Sequence, residues 1–523
     1  MKKIYQFLML TASIALFSCG SSGSDDPDPT PTPPPTPTPS INIILRSQSI
    51  AEGAEVDAKT TTVLTLDYNT TVKVTGTGIT LNGKAVTAKS NPTTIMSVDI
   101  PLTLEEGTKY TLKVENGAIV STTDATASAP EFTLNFTTKE APKPIGENDA
   151  VALTKKLGWG WNLGNHFDSS TDEDDKTGSY WDNATPTATL YTNLKNAGVS
   201  TVRICVTWGN YQSPAWTIDA NYMAEVKQNV DWAEAAGLNV ILNMHHDEYW
   251  LDIKDAALNN IINDAIKKRI VTTWKQIAET FKDKGDFLFF ESFNEVQDGK
   301  WGWGDNLTDG GKQYKVLNEW NQLVVSTIRA TGGNNATRWI GVPAYASSPK
   351  FALENTFELP QDDANRIMVS VHFYDPNTFT LTPDNSDGKS EWGHTAAKGK
   401  YQEGSNEEHV VETFQKLQEK YIANNIPVYI GEYGCVMHKT DRSNLFRNYY
   451  LEYVCRAAHT YNLPLCVWDN FVVGGGNEHH SYFSHNDGTY TNGMGSLVQT
   501  MIKAATSNDE TYTLESIYNN APK

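Results

Sequence analysis

Cysteine is scarce in this chain: five among 523 residues, with no C-x-x-C pair and no spacing that suggests a disulfide framework. A fold stapled by disulfides is therefore excluded. Positive charge is short too, with 42 Lys and Arg against 62 Asp and Glu, a formal net charge of −20 and a pI near 5.0. Nucleic-acid and anionic-membrane surfaces need clustered cations, so neither is an expected partner, whereas a neutral or cationic one fits. Long apolar runs are also missing. The opening "IYQFLMLTASIALF" is too short to span a bilayer and ends in small residues.

That opening segment, preceded by "MKK" and followed by "SCG", reads as a targeting signal over residues 1–18 and is set outside the fold. "LFSC" resembles the lipobox of bacterial lipoproteins, which implies acylation of Cys19, and Phe17 is bulkier than that pattern usually carries. "SSGSDDPD" is similar to the Ser/Asp-rich signals that route lipoproteins to the outer face of the outer membrane. The implied localisation is the cell outer membrane, surface-exposed. Cys205 and Cys466 lie in apolar runs and read, with Cys435 and Cys455, as small buried thiols.

What the chain does have is aromatic surface and punctuation. Aromatics make up 11% of it and include 14 Trp, enough for some to face a binding groove. Residues 19–40 form a Pro/Thr-rich linker whose "DPDPTPTPPPTPTPS" is an extended spacer. Residues 41–138 carry short alternating Thr/Val/Ile runs such as "TTVLTLDY" and "EFTLNFTT", which predict a small all-β sandwich similar to bacterial immunoglobulin-like spacer domains. Its few aromatics, Tyr68 and Tyr110 among them, make no obvious glycan platform. A second linker spans 139–148, the large domain 149–510, and a C-terminal tail 511–523.

In the large domain, eight apolar runs of strand character alternate with helical patterns: 158–165, 199–206, 239–246, 287–295, 338–345, 368–376, 427–434 and 464–470. A closed (β/α)₈ barrel is the economical arrangement of such a pattern, and its active site lies at the C-terminal strand ends. Those ends carry Arg203, His245 and His246, Asn294 and Glu295, His372 and Tyr374, Glu432, and Trp468. Glu295 and Glu432, on strands 4 and 7, would face each other across the barrel mouth. That is the geometry of retaining glycoside hydrolysis, in which one glutamate protonates the leaving oxygen and the other attacks the anomeric carbon.

Over essentially all of residues 150–500 the pattern resembles glycoside hydrolase family 5, whose strand 4 ends in Asn-Glu. The resemblance implies that Glu295 in "SFNEV" is the acid/base and Glu432 in "IGEYG" the nucleophile. It carries the family's arginine, strand-3 histidine, His-x-Tyr pair and strand-8 tryptophan onto Arg203, His245, His372 with Tyr374, and Trp468. Arg203 and the Tyr374 hydroxyl would keep Glu432 ionised. An apolar wall and the charge of Glu432 would raise the pKa of Glu295, and Asn294 would hold the sugar 2-hydroxyl. Trp468 would floor the −1 subsite. Asn162, His246 and Trp303 complete the expected substrate-binding set.

"GWGWNLGNHFD", "WDNATPT" and "NMHHDEYWL" look most like subfamily 4, which implies β-1,4-glucan substrates such as xyloglucan, mixed-linkage β-glucan or cellulose. Val296 replaces a frequent proline, and His166 replaces a frequent threonine where it could alter a negative subsite. No metal or organic cofactor is required. A metal cluster in "HHDE" (245–248) is disfavoured because successive strand residues point to opposite faces, and the acidic loop 168–178 reads as a solvated substrate rim rather than a calcium site. Trp301, Trp303, Trp181, Trp250 and Trp392 are divided between subsite and loop-packing roles. The expected partner is plant cell-wall β-glucan and the expected state a monomer. The rival readings are a β-mannanase, a metal-dependent barrel enzyme and a non-catalytic surface glycan binder, the last of which has no reason to hold both glutamates and Arg203.

Overall fold

The computed structural model describes residues 41–523 apart from 59–60, 92–95, 140–147, 171–180, 182, 298–310 and 492. Two compact units divide after residue 143. In the first, a four-stranded sheet contains Leu45–Gln48, Val63–Tyr68, Ser97–Pro101 and Lys89–Ser90, and a five-stranded sheet contains Glu55–Val56, Phe132–Thr138, Lys109–Val114, Ile79–Leu81 and Lys84–Ala85. Alternation sets the inward face: Leu64, Leu66 and Tyr68 from one sheet share a core with Tyr110, Leu112 and Val114 from the other. Tyr68 and Tyr110 are thus core residues. Asn82 and Gly83, at φ 48° and 77°, turn the hairpin 79–85 in the left-handed conformations that a tight two-residue turn requires.

The second unit is a closed barrel of eight parallel strands in sequence order. They are Trp159–Leu163, Thr201–Ile204, Asn239–Asn243, Leu288–Glu291, Ile340–Pro343, Ile367–Phe373, Val428–Tyr433 and Leu465–Val467, hereafter barrel strands 1 to 8. Strand 8 pairs back onto strand 1. Each falls on one of the apolar runs, because a parallel strand covered on both faces has little use for polar residues along its length.

Helices seal the outside. Asn259 caps Asn260–Phe281 by accepting from the N–H groups of Ile261 and Ile262, and Ile266, Ile270, Trp274, Ile277 and Phe281 then recur at helical spacing on the buried face. Inside, the floor is apolar: Leu153 and Leu157 of helix Asp149–Leu157 pack with Ile241, Phe289, Met368, Tyr429 and Cys466. Gly341 has no Cβ because one there would collide with the Tyr429 hydroxyl, which crosses the barrel at that height.

Residues 511–523, set apart as a tail in the sequence, form the helix Leu514–Tyr518, with Ile517 and Ala521 buried. Arg442 Nη1 donates to the Lys523 carbonyl at 3.0 Å. The four thiols Cys205, Cys435, Cys455 and Cys466 are buried and unbridged.

Candidate active site

Arg203 is the centre of the site, although none of it reaches solvent. It lies on strand 2 above the apolar floor, and its guanidinium fork binds in three directions. Nε donates to Glu291 Oε2 at 2.8 Å, Nη1 to Glu432 Oε1 at 2.8 Å and to Asn162 Oδ1 at 3.0 Å, and Nη2 to Asn294 Oδ1 at 2.7 Å. Glu291 also accepts from Ser370 Oγ at 2.5 Å and from the Tyr429 hydroxyl at 2.7 Å. Burial alone would raise the Glu291 carboxyl, but Arg203, then His372 and these hydroxyls, outweigh it and leave it lowered.

Two of the residues expected to bind substrate are thereby relocated. Asn162 is fully buried, its amide nitrogen donating to the carbonyls of Gly431, Cys466 and Val467 and its oxygen accepting from Arg203, so nothing of it is left for a sugar. Arg203 likewise contacts carboxylates rather than the cleft. Both act as supports for residues that do reach it.

Glu432, on strand 7, receives a second donor: the Tyr374 hydroxyl lies 3.1 Å from its Oε2. Arg203 and Tyr374 thus each donate to a different oxygen of the Glu432 carboxylate. A register shift between Val371 and His372 sets His372 opposite Glu432. The His372 Nδ1 is 2.6 Å from Glu295 Oε1 and 3.6 Å from Glu432 Oε2. Burial pulls this imidazole down, but Glu432 and Glu295 together leave it raised above its ordinary 6.5. The ring nitrogen, with one oxygen of each glutamate, fits within 4.8 Å. Glu295 is thus flanked by the His372 imidazole.

The end of strand 4 is held from outside the barrel. Trp274 Nε1 donates to the Ser292 carbonyl at 3.2 Å, the Ser292 hydroxyl bonds Asn321 Oδ1 at 2.6 Å, and Ser347 Oγ donates to the Asn294 carbonyl at 2.5 Å. With its amide oxygen on Arg203, Asn294 is left with its Nδ2 to offer to the cleft it lines.

His245 and His246 lie beyond the last residue of strand 3, so strand alternation no longer separates them. Their rings are 4.4 Å apart, and both join Asp168 in a three-residue cluster. Asn243 Nδ2 meets His245 Nδ1 at 3.0 Å, which places the His245 proton on Nε2, 3.8 Å from Glu432 and 4.0 Å from Asp168. Burial, then His246 and Arg203, hold His245 well below the ordinary range, and so neutral. Asp168, placed by the sequence in a solvated rim, is fully buried and accepts from the N–H groups of Asn165 at 3.0 Å and His166 at 2.7 Å. Residues 171–178 of that loop lie outside the described residues.

Trp468 stacks parallel to His245 at 5.7 Å and lines the cleft. His166 does not reach a subsite: it is buried against Phe167, and burial with His485 nearby pushes its imidazole down to about 3. The three described tryptophans of that set differ in their surroundings. Trp392 is core, packed on Tyr449, Tyr450 and Tyr453, and Trp250 lies 4.2 Å from the Arg269 guanidinium. Trp181 is exposed beside His246, where a sugar could stack. Trp301, Trp303 and Cys19 lie outside the described residues.

The cleft above these groups is about 880 Å³ and runs from Asn165, His246 and Trp468 past both glutamates to Lys350, Glu354 and Lys416. The two three-residue clusters, Asp168/His245/His246 and Glu295/His372/Glu432, offer ligand atoms close enough for a cation. Asp168, His245 Nδ1, His372 Nδ1, Glu295 and Glu432 already have the protein partners given above. Sequence reasoning missed Glu291, Ser370, Tyr429, Asp168 and Glu478, a further lining residue. For Glu291 the signal was available: an acid inside "FLFFES" needs a buried cation.

A family model for cellulase (glycosyl hydrolase family 5) matches residues 162–472. Endoglucanase A of Paenibacillus barcinonensis is 31% identical over 360 residues, covering 65% of this chain and 87% of that one. A xyloglucan-specific endo-β-1,4-glucanase of Bacteroides ovatus is 33% identical over 344 residues, covering 63% and 67%. The solved structure of a GH5-4 broad specificity endoglucanase from Bacteroides salanitronis superposes with a TM-score of 0.65 at 45% identity, covering 69% of this chain and 97% of that one. With a barrel of this order, a carboxylate pair of this spacing and a match over more than half its length, the chain belongs to glycosyl hydrolase family 5 and is a glycoside hydrolase.

Proposed function

We propose that the chain is an endo-acting, retaining hydrolase of β-1,4-linked glucan backbones, with xyloglucan and mixed-linkage β-glucan as its main substrates and a subfamily-4 character. The observation that carries the mechanism is that a carboxylate oxygen of Glu295 lies within 4.8 Å of one of Glu432. Inverting pairs stand about 6.5–9.5 Å apart to admit a water, and retaining pairs about 5–5.5 Å apart. Glu432, held by Arg203 and Tyr374, attacks the anomeric carbon as Glu295 delivers a proton to the departing oxygen. Glu295 then takes a proton from the water that hydrolyses the glycosyl-enzyme. The Asn294 amide nitrogen is placed for the sugar 2-hydroxyl, whose hydrogen bonds strengthen as the ring flattens. Trp468 supplies an apolar platform for a pyranose face. The names of the Bacteroides ovatus and Bacteroides salanitronis relatives support the glucan assignment.

Hydrolysis of tamarind xyloglucan, barley β-glucan and mannan, followed by NMR of the first anomer released, tests this reading. Retained configuration on a glucan, with Glu295→Ala and Glu432→Ala each losing several orders of magnitude, is the expected result. Cleavage of mannan alone would refute the substrate, and binding without products would refute catalysis.

The reading extends to location. The apolar run before Cys19 and the Ser/Asp-rich segment after it support a lipid anchor in the outer membrane, with an immunoglobulin-like spacer ahead of the barrel. Among the described residues no helix is long and apolar enough to cross a membrane. A Cys19→Ala chain that still fractionates with membranes would overturn the anchor.

A further inference from the structure

A further carboxylate faces the cleft beside Glu295 and Glu432. Glu478 lies in the loop after strand 8 and lines the cavity together with Glu295, Glu432 and Tyr374. Its backbone sits at φ 57°, the left-handed region that disfavours a branched or extended side chain and favours glycine. Glycines 474–476 stand just before it, yet a glutamate holds the strained position. The loop is fixed on both sides: Glu478 N–H donates to the Leu381 carbonyl at 2.9 Å, and its own carbonyl accepts from Asn470 Nδ2 at 2.8 Å.

Among the described residues its carboxylate has no hydrogen-bond or ion-pair partner. The residue as a whole is exposed, yet desolvation on its cleft side, then the charges of Glu295 and Glu432, push it up to about 7, and its charge in turn helps raise the Tyr374 hydroxyl. This exposed acid neutralises no cation among the described residues and stands at a backbone angle better suited to glycine, so neither pairing nor backbone preference favours a glutamate here. It lines the same cavity as Glu432, close enough for the two charges to act on each other.

We propose that Glu478 is a substrate-binding residue, accepting hydrogen bonds from equatorial hydroxyls of the pyranose seated over Glu432. It touches the ground-state sugar and takes no part in bond making, so its loss weakens binding more than turnover. The inference rests on the hydrolase reading above and names a further contact within that site.

The test uses the full chain and 2,4-dinitrophenyl β-cellobioside, whose leaving group departs without proton donation and whose sugars fill only the side of the cleft nearest Glu432. Glu478→Gly relieves the backbone and is expected to leave Tm unchanged or higher while KM rises about tenfold, the loss of a hydrogen bond to a charged group. Glu478→Gln keeps an acceptor and is expected to recover most of that loss. A Glu478→Gly KM within about twofold of wild type overturns the proposal, as does a raised KM accompanied by a fall in Tm that Glu478→Gln does not restore. Glu432→Ala serves as the control. If wild type is as inert as that variant, the hydrolase reading falls and this inference with it, whereas an active wild type with an unaffected Glu478→Gly removes only Glu478.

Discussion

Arg203 brings one positive charge to two carboxylates, Glu291 and Glu432, in a place water does not reach. Removing it leaves both acids uncompensated, so Arg203→Met is expected to lower stability by about 3–5 kcal/mol, read from denaturant unfolding. Arg203→Lys keeps the charge but not the fork, since an ammonium cannot span Glu291, Glu432 and Asn294 together. Its kcat is expected to fall about a hundredfold with a smaller change in KM, through misplacement of Glu432. His372 gives a pH signature. Its folded pKa is raised above the unfolded 6.5, so its stabilising contribution is complete below 6.5 and is lost as pH rises through the folded value. The Tm difference between wild type and His372→Gln is therefore expected to be larger at pH 5.5 than at pH 9, and equal differences would refute the raised value. Glu291 has the opposite sign: its folded pKa is lowered from 4.5, so its contribution holds above 4.5 and is lost as pH falls through the folded value.

Elements outside the barrel hold its reactive edge. Strand 4 ends at Glu291, and Trp274, Asn321 and Ser347 bind the next residues from neighbouring elements, so that Asn294 and Glu295 line the cleft. Asn321 Nδ2 also donates to the Pro343 carbonyl at 2.9 Å, tying the ends of strands 4 and 5 together. Asn321→Leu strands both the Ser292 hydroxyl and that carbonyl, and is expected to lower stability by about 1–3 kcal/mol and to reduce kcat. Leu157→Ala provides the contrast. It opens the floor beneath Ile241 and Met368, far from substrate, and is expected to lower stability by about 2–5 kcal/mol with KM unchanged.

For the whole molecule, the lining of the cleft comes, among the described residues, from the second unit, which has its own core. A chain beginning at residue 144 is expected to retain kcat/KM on soluble β-glucan, since the first unit contributes no lining residue among those described. Activity is also expected to survive EDTA, because the chemistry assigned to Glu295 and Glu432 calls for no Lewis acid. Loss of activity restored by a divalent cation would move the mechanism to one of the two His/carboxylate clusters.

The sequence by itself determined the eight strands, their order and the residues at their ends. Strands buried on both faces must read as apolar runs, and a polar group ending such a run must have somewhere to go. Glu295, Glu432, His372, Tyr374 and Trp468 were legible for that reason. Only the tertiary structure decided where side chains turn once a strand has ended. His245 and His246 converge because alternation stops at Asn243, Asn162 turns inward because three backbone carbonyls await its amide, and His166 is drawn into packing with Phe167. Glu291 escaped notice and Asp168 was assigned to a solvated rim because a buried carboxylate is defined by its partner, and Arg203 and the N–H groups of residues 165–166 become partners only when the barrel closes. Local chemistry fixed which groups are present, and closure of the ring fixed which of them meet.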